Sequence, residues 1–132
     1  MKACLSGKVN GSIKKIGSNA FDSLPITSME ITEGVEKLDN YAFYFCGNLE
    51  NVTLPSTLTY IGSQAFYQCS KLTELYIPDA VTYIGSYALA RTNINYITLP
   101  ANLKKISDNL FKYSNVIGIN FNDGCITDTI EN

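Results

Sequence analysis

Apolar residues recur along this chain in a fixed order. Between Leu58 and Pro78 (LTYIGSQAFYQCSKLTELYIP) they fall at Leu58, Ile61, Ala65, Phe66, Cys69, Leu72, Leu75 and Ile77, with Gly62 and Pro78 as punctuation. One copy earlier stand Val35, Leu38, Ala42, Phe43, Cys46, Leu49, Val52, Leu54 and Pro55. One copy later stand Val81, Ile84, Gly85, Ala88, Leu89, Ile94, Ile97, Leu99 and Pro100. Outer copies run from Ile13 through Ile16, Gly17, Ala20, Phe21, Ile26 and Met29 to Ile31, and from Leu103 through Ile106, Leu110, Phe111, Val116 and Ile119 to Phe121. The steps from Phe21 to Phe43, Phe66, Leu89 and Phe111 are 22 or 23 residues. A period of roughly 20–29 residues is that of short units that stack on one another. Phe66 to Leu72 is one residue longer than Leu89 to Ile94, so the variation falls in the loop before the strand, where length changes are tolerated.

Each copy has two parts. The first, as in Leu58 to Cys69, reads as a short extended piece, a Gly-Ser turn and one helical or 3-10 turn at Ala65-Phe66. So short a helix cannot stand alone and relies on packing. In the second part, Leu72 to Pro78, Leu75 and Ile77 point one way and Glu74 and Tyr76 the other. That alternation predicts a strand with one buried face, ended by a proline that lacks the donor a ladder needs.

Stacking places equivalent residues in columns: Phe21, Phe43, Phe66, Leu89 and Phe111 in one, Ala20, Ala42, Ala65, Ala88 and Leu110 in the next. Gly17, Gly62 and Gly85 share a turn position that Asp39 and Ser107 fill in other copies, as suits a turn. The organisation expected is a partial N-terminal coil or cap over 1–12, with Val9 in a truncated strand, five repeats over 13–122, and a tail or partial cap over 123–132.

Composition narrows the function classes. The net charge is −2 and the basic pairs Lys14-Lys15 and Lys104-Lys105 are isolated, so nucleic acid is not an expected partner. No run approaches the roughly 18 apolar residues of a membrane span. Histidine is absent, which removes the usual general base and the commonest zinc ligand. Met1 to Lys8 lacks the apolar core of a signal peptide. Cys46 and Cys69 share one repeat position and read either as a disulfide or metal pair or as two small buried thiols, the commoner state of free cysteine. Cys4 and Cys125 stand near opposite ends, and no C-x-x-C occurs.

The repeat L-x-x-I-G-x-x-A-F-x-x-C-x-x-L-x-x-L-x-I-P, carried almost whole by IGSQAFYQCSKLTELYIP, resembles the BspA-like, or TpLRR, class of leucine-rich repeats. The resemblance covers about five-sixths of the chain. It departs at Leu89 for Phe, at Thr92 and Ser114 near the cysteine position, and at Thr32 and Asn122 for Pro. It implies an α/β repeat solenoid: a right-handed coil with a parallel β-ladder on the concave face and short helical or 3-10 turns opposite. It also implies a surface or secreted protein, part of a longer chain, that adheres to host proteins or other cells. The missing signal sequence leaves a cytoplasmic location as the alternative.

Strand positions facing away from the core offer the natural binding surface. One column is Ser28, Asn51, Glu74, Tyr96 and Gly118; the next is Glu30, Thr53, Tyr76, Thr98 and Asn120. Of these, Glu30, Asn51, Thr53, Glu74, Tyr76, Tyr96, Thr98 and Asn120 are the candidate binding residues. Tyr76 and Tyr96 supply apolar area with a polar tip, a frequent hot-spot chemistry. Lys15, Lys37, Tyr60, Tyr83 and Lys105 form a second column beside the Ile-Gly turn. Glu30 and Glu74 stand two coils apart, at about 9–10 Å, the upper edge of an inverting-glycosidase pair, but an open ladder does not desolvate an acid. No enzyme activity, cofactor or metal is therefore expected, and Asn120 to Gly124 lacks calcium-loop spacing. Asn10-Gly11-Ser12 and Asn51-Val52-Thr53 fit the glycosylation sequon. The expected partner is a protein, with a spacer role or a carbohydrate ligand as alternatives. Self-association through exposed solenoid ends near Val9 and Phe121 is also expected.

Overall fold

A computed structural model describes residues 6–10 and 12–122. The chain winds as a solenoid of parallel strands, with each coil closing on three sides. The first side carries β1 (Ser6–Val9), β3 (Ser28–Ile31), β5 (Asn51–Thr53), β8 (Tyr96–Leu99) and β9 (Gly118–Phe121). The second carries the two-residue strands β2 (Lys15–Ile16), β4 (Lys37–Leu38), β6 (Tyr60–Ile61) and β7 (Tyr83–Ile84). A ribbon of turns forms the third. Every strand pairing is parallel and one repeat apart, as in Val9↔Ile31, Ser28↔Asn51, Tyr60↔Tyr83 and Tyr96↔Gly118. Val9 thus ends the first strand of the ladder, in the place its alignment with Ile31 assigns it.

The interior follows the expected columns. Phe43, Phe66 and Leu89 are buried in a row, and the phenyl rings stack nearly flat: Phe21 on Phe43 at 5.2 Å and 12°, Phe43 on Phe66 at 5.3 Å and 2°. Phe21 and Phe111, in the outermost coils, are only partly buried. For the same reason Ile13, assigned to the core by its repeat position, is 47% exposed, and Ile119 and Phe121 on β9 are 38% and 44% exposed. The outermost described coils thus leave some repeat positions partly uncovered, while others there, such as Ile16 and Leu110, stay buried.

The turn ribbon corrects the expected helical or 3-10 turns: among the described residues there is no helix. In the segment 62–69 the amides of Ala65, Tyr67 and Cys69 close turns onto Gly62, Gln64 and Phe66. The intervening amides of Gln64, Phe66 and Gln68 instead donate to Ser86, Ala88 and Ala90 of the next coil, at 2.9, 2.9 and 3.1 Å. A helix would keep all of these donors within one coil. The alternation demands two left-handed residues per coil: Asn19 and Ser23, Tyr41 and Phe45, Gln64 and Gln68, Tyr87 and Arg91, Asn109 and Tyr113 all have φ between 56° and 64°. Side chains resist that conformation, and the inter-coil hydrogen bonds offset the cost.

The glycines of the Ile-Gly turn have a different reason from the one expected. None has a positive φ; among the described glycines only Gly34 does, at 110°. A Cβ on Gly62 would lie 2.6 Å from the Asn40 backbone nitrogen, and one on Gly85 would collide with the backbone of Ser63. At Gly17, in the first coil, nothing lies within 4 Å. Close approach of the preceding coil selects glycine here.

One expected strand is missing from the ladder. Residues 73–77 keep the alternation, with Leu75 and Ile77 buried and Tyr76 exposed, yet they form no strand and no backbone hydrogen bond to either neighbouring coil. The coils rejoin on each side of the segment, at Asn93 N to Leu72 O (2.9 Å) and Thr82 N to Thr59 O (3.0 Å). The long-strand side is therefore two sheets, β1-β3-β5 and β8-β9, with a gap between them.

Candidate binding face

The gap lies at the centre of the face that the strand alternation turns outward. The registers Ser28↔Asn51, Glu30↔Thr53 and Thr98↔Asn120 place the outward residues in columns along the solenoid. A depression of about 520 Å³ occupies the middle, lined by Asn51, Thr53, Glu74, Tyr76, Tyr96, Thr98 and Asn120 together with the strand backbones. Seven of the eight candidate residues meet there. The eighth, Glu30, lies one coil further on, in a second depression of about 430 Å³ that shares Asn51 and Thr53 with the first. The two form one trough.

Tyr76 and Tyr96 stand 70% and 65% exposed in this trough. The Tyr96 ring lies against the next coil, where a Cβ on Gly118 would be 2.7 Å from its Cδ1. Gly118 thus gives the ring its place. Lys8, which sequence reasoning missed, faces Glu30 across the β1–β3 register at 3.7 Å. Its signal was present: if Val9 aligns with Ile31, Lys8 aligns with Glu30. Asn51, in the second sequon, is exposed on the trough, and the Asn10 side chain accepts from the Ser12 amide at 2.9 Å.

The second column is also drawn together. The Tyr60 and Tyr83 rings stack at 4.7 Å and 14°, and Lys37 Nζ sits 4.4 Å above Tyr60. Burial, with Tyr83 close by, raises the Tyr60 phenol above its ordinary pKa. On the turn ribbon lies an aromatic strip that sequence reasoning did not single out: Tyr44 stacks on Tyr67 at 5.3 Å, Arg91 Nε donates to the Tyr67 hydroxyl at 3.0 Å, and the Arg91 guanidinium covers Tyr113 at 4.7 Å. Its signal was the 23-residue step from Tyr44 to Tyr67, outside the apolar columns.

Cys46 and Cys69 are buried thiols with no disulfide between them. Cys4 and Cys125 lie outside the described residues, as does the tail over 123–132. The described residues hold no group of three or more His, Cys, Asp or Glu side chains placed for a metal, and no helix long and apolar enough to cross a membrane.

The model of the BspA type leucine-rich repeat region matches residues 5–126 in six copies. The chain belongs to the BspA-type leucine-rich repeat family. Among solved structures, a leucine-rich cell surface protein of Faecalibacterium prausnitzii is 29% identical with a TM-score of 0.82, covering 90% of this chain and 36% of that one. A leucine-rich repeat protein of Bacteroides ovatus is 23% identical with a TM-score of 0.83, covering 88% and 33%. The leucine-rich repeat protein of T. pallidum is 19% identical with a TM-score of 0.65, covering 97% and 72%. At those last two identities the likeness is one of fold. This BspA-type chain spans 36% and 33% of the length of the first two structures. No curated protein matches it.

Proposed function

We propose that this BspA-type chain is a non-catalytic recognition module that holds a protein partner on its long-strand face, working in adhesion at a cell surface. The observation that carries the reading is the pair Tyr76 and Tyr96, each about two-thirds exposed in one trough, where they fill no core. Exposed aromatics on a stiff repeat scaffold offer large contact area, and tyrosine is enriched among residues that dominate binding energy. In this reading the trough is the concave side of a right-handed coil, the surface that solenoids use for extended contacts. A relative described as a cell surface protein favours the location. Catalysis finds no support: the chain has no histidine, and the β5 coil separates Glu30 from Glu74 in an open trough.

The competing role is a spacer within a longer chain, which the share of its relatives' length favours. The double variant Tyr76→Ala with Tyr96→Ala separates the two. A recognition module loses its adherence to cells or host protein while its melting temperature stays within a few degrees; unchanged adherence leaves the spacer. Self-association belongs to the same proposal, since Ile119 and Phe121 on β9 and Ile117 just before it are exposed. Light scattering over a concentration series should then show dimers, and a monomer at the highest concentration refutes that part.

A further inference from the structure

The outward positions of the long-strand face carry three charged side chains among the described residues: Lys8, Glu30 and Glu74. Lys8 and Glu30 pair with each other. Glu74 forms no ion pair among the described residues. Its neighbours are Tyr76 on the same segment and Tyr96 at the equivalent position of the next coil. The Tyr96 ring lies over Gly118, on the side away from Glu74's own coil, which leaves the space beside the carboxylate open. The depression of about 520 Å³ lies at this gap and is lined by Glu74, Tyr76 and Tyr96.

We propose that this cleft receives a cationic side chain, lysine or arginine, from an extended basic segment of a protein partner. A carboxylate beside two exposed phenol rings is the chemistry that selects a cation, because the ring faces carry negative potential and the carboxylate supplies the counter-charge. The chain itself sets cations over tyrosine rings, among them Lys37 4.4 Å over Tyr60 and Arg91 4.7 Å over Tyr113. The methylene stem of a bound lysine packs along Tyr76, and the exposed amides and hydroxyls of Asn51, Thr98 and Asn120 meet the polar groups of the partner's backbone. A neutral sugar would stack on the same tyrosines without needing the charge of Glu74. An acidic segment would be repelled by it.

The inference rests on the recognition reading of this face and is tested with the full chain. Extended decapeptides that differ only in a central Lys, Arg, Gln or Glu are titrated by NMR. The Lys and Arg peptides bind about tenfold tighter than the Gln peptide. Their affinity falls as NaCl rises from about 0.05 to about 0.5 M, because exposed charge pairs are screened. Glu74→Gln removes the preference, whereas Glu36→Gln, at an exposed carboxylate beside β4 on the second side, leaves it. Equal binding of the Gln peptide, no binding by any peptide, or a preference that survives Glu74→Gln overturns the proposal. So does a neutral oligosaccharide that binds through Tyr76 and Tyr96 regardless of Glu74. An adherence lost in the double tyrosine variant but indifferent to Glu74→Gln and to salt overturns only the cation reading and leaves the binding face standing.

Discussion

The Cys69 thiol donates to the carbonyl oxygen of Phe43, one coil back, at 3.2 Å. Cys46 makes the same bond to Phe21 at 3.0 Å, and Ser114, at this position two coils later, makes it to Leu89 at 2.7 Å. The cysteine of the repeat is therefore a small buried donor that ties its coil to the one before it, as the Ser114 hydroxyl does, whereas the Thr92 hydroxyl at this position bonds to Leu89 within its own coil.

That role makes the fold sensitive to alkali. Burial pushes the Cys46 thiol from 9.0 up to about 11, and burial raises Cys69 in the same direction. Above pH 9 the unfolded chain gives up these protons while the folded chain keeps them, so the folded state binds more protons and stability falls as pH rises. For Cys46 the loss by pH 11 is on the order of 2–3 kcal/mol. Urea melts at pH 8 and pH 10.5 should show the decline, and the double variant Cys46→Ser with Cys69→Ser should flatten it.

The phenylalanine stack predicts a gradient of sensitivity along the solenoid. Phe66 is fully buried and stacks on Phe43, so Phe66→Ala should cost about 3–5 kcal/mol and loosen the coils on both sides. Phe21 is only partly buried at the end of the stack, so Phe21→Ala should cost roughly half as much or less. Equilibrium denaturation of the two variants tests the order.

The repeat glycines predict opposite outcomes for one substitution. Gly85→Ala forces a methyl group into the backbone of Ser63 and should destabilise by about 1–3 kcal/mol. Gly17→Ala meets nothing within 4 Å at a position without positive φ, and should stabilise by about 0.4–1 kcal/mol by restricting the unfolded chain. Thermal melts shifting in opposite directions are the expected result.

The sequence alone determined the coil length, the inward columns and the outward faces. Those follow from periodicity, which is local: alternate residues of an extended segment point to opposite sides, and a repeated pattern must repeat its packing. Leu75 and Ile77 inward with Tyr76 outward was legible in this way, as was the meeting of Asn51, Glu74 and Tyr96 on one face. Only the tertiary structure decided what depends on a neighbouring coil. Whether the Gln64 amide closes a helical turn or crosses to Ser86 turns on where the next carbonyl lies, and the crossing replaced the expected helix with a ribbon of left-handed turns. Whether Ile13 is buried turns on which groups the fold brings against it, since Ile16 in the same coil is covered and Ile13 is not. The parting of residues 73–77 from the ladder is likewise a relation among three coils, and no pattern within one of them records it.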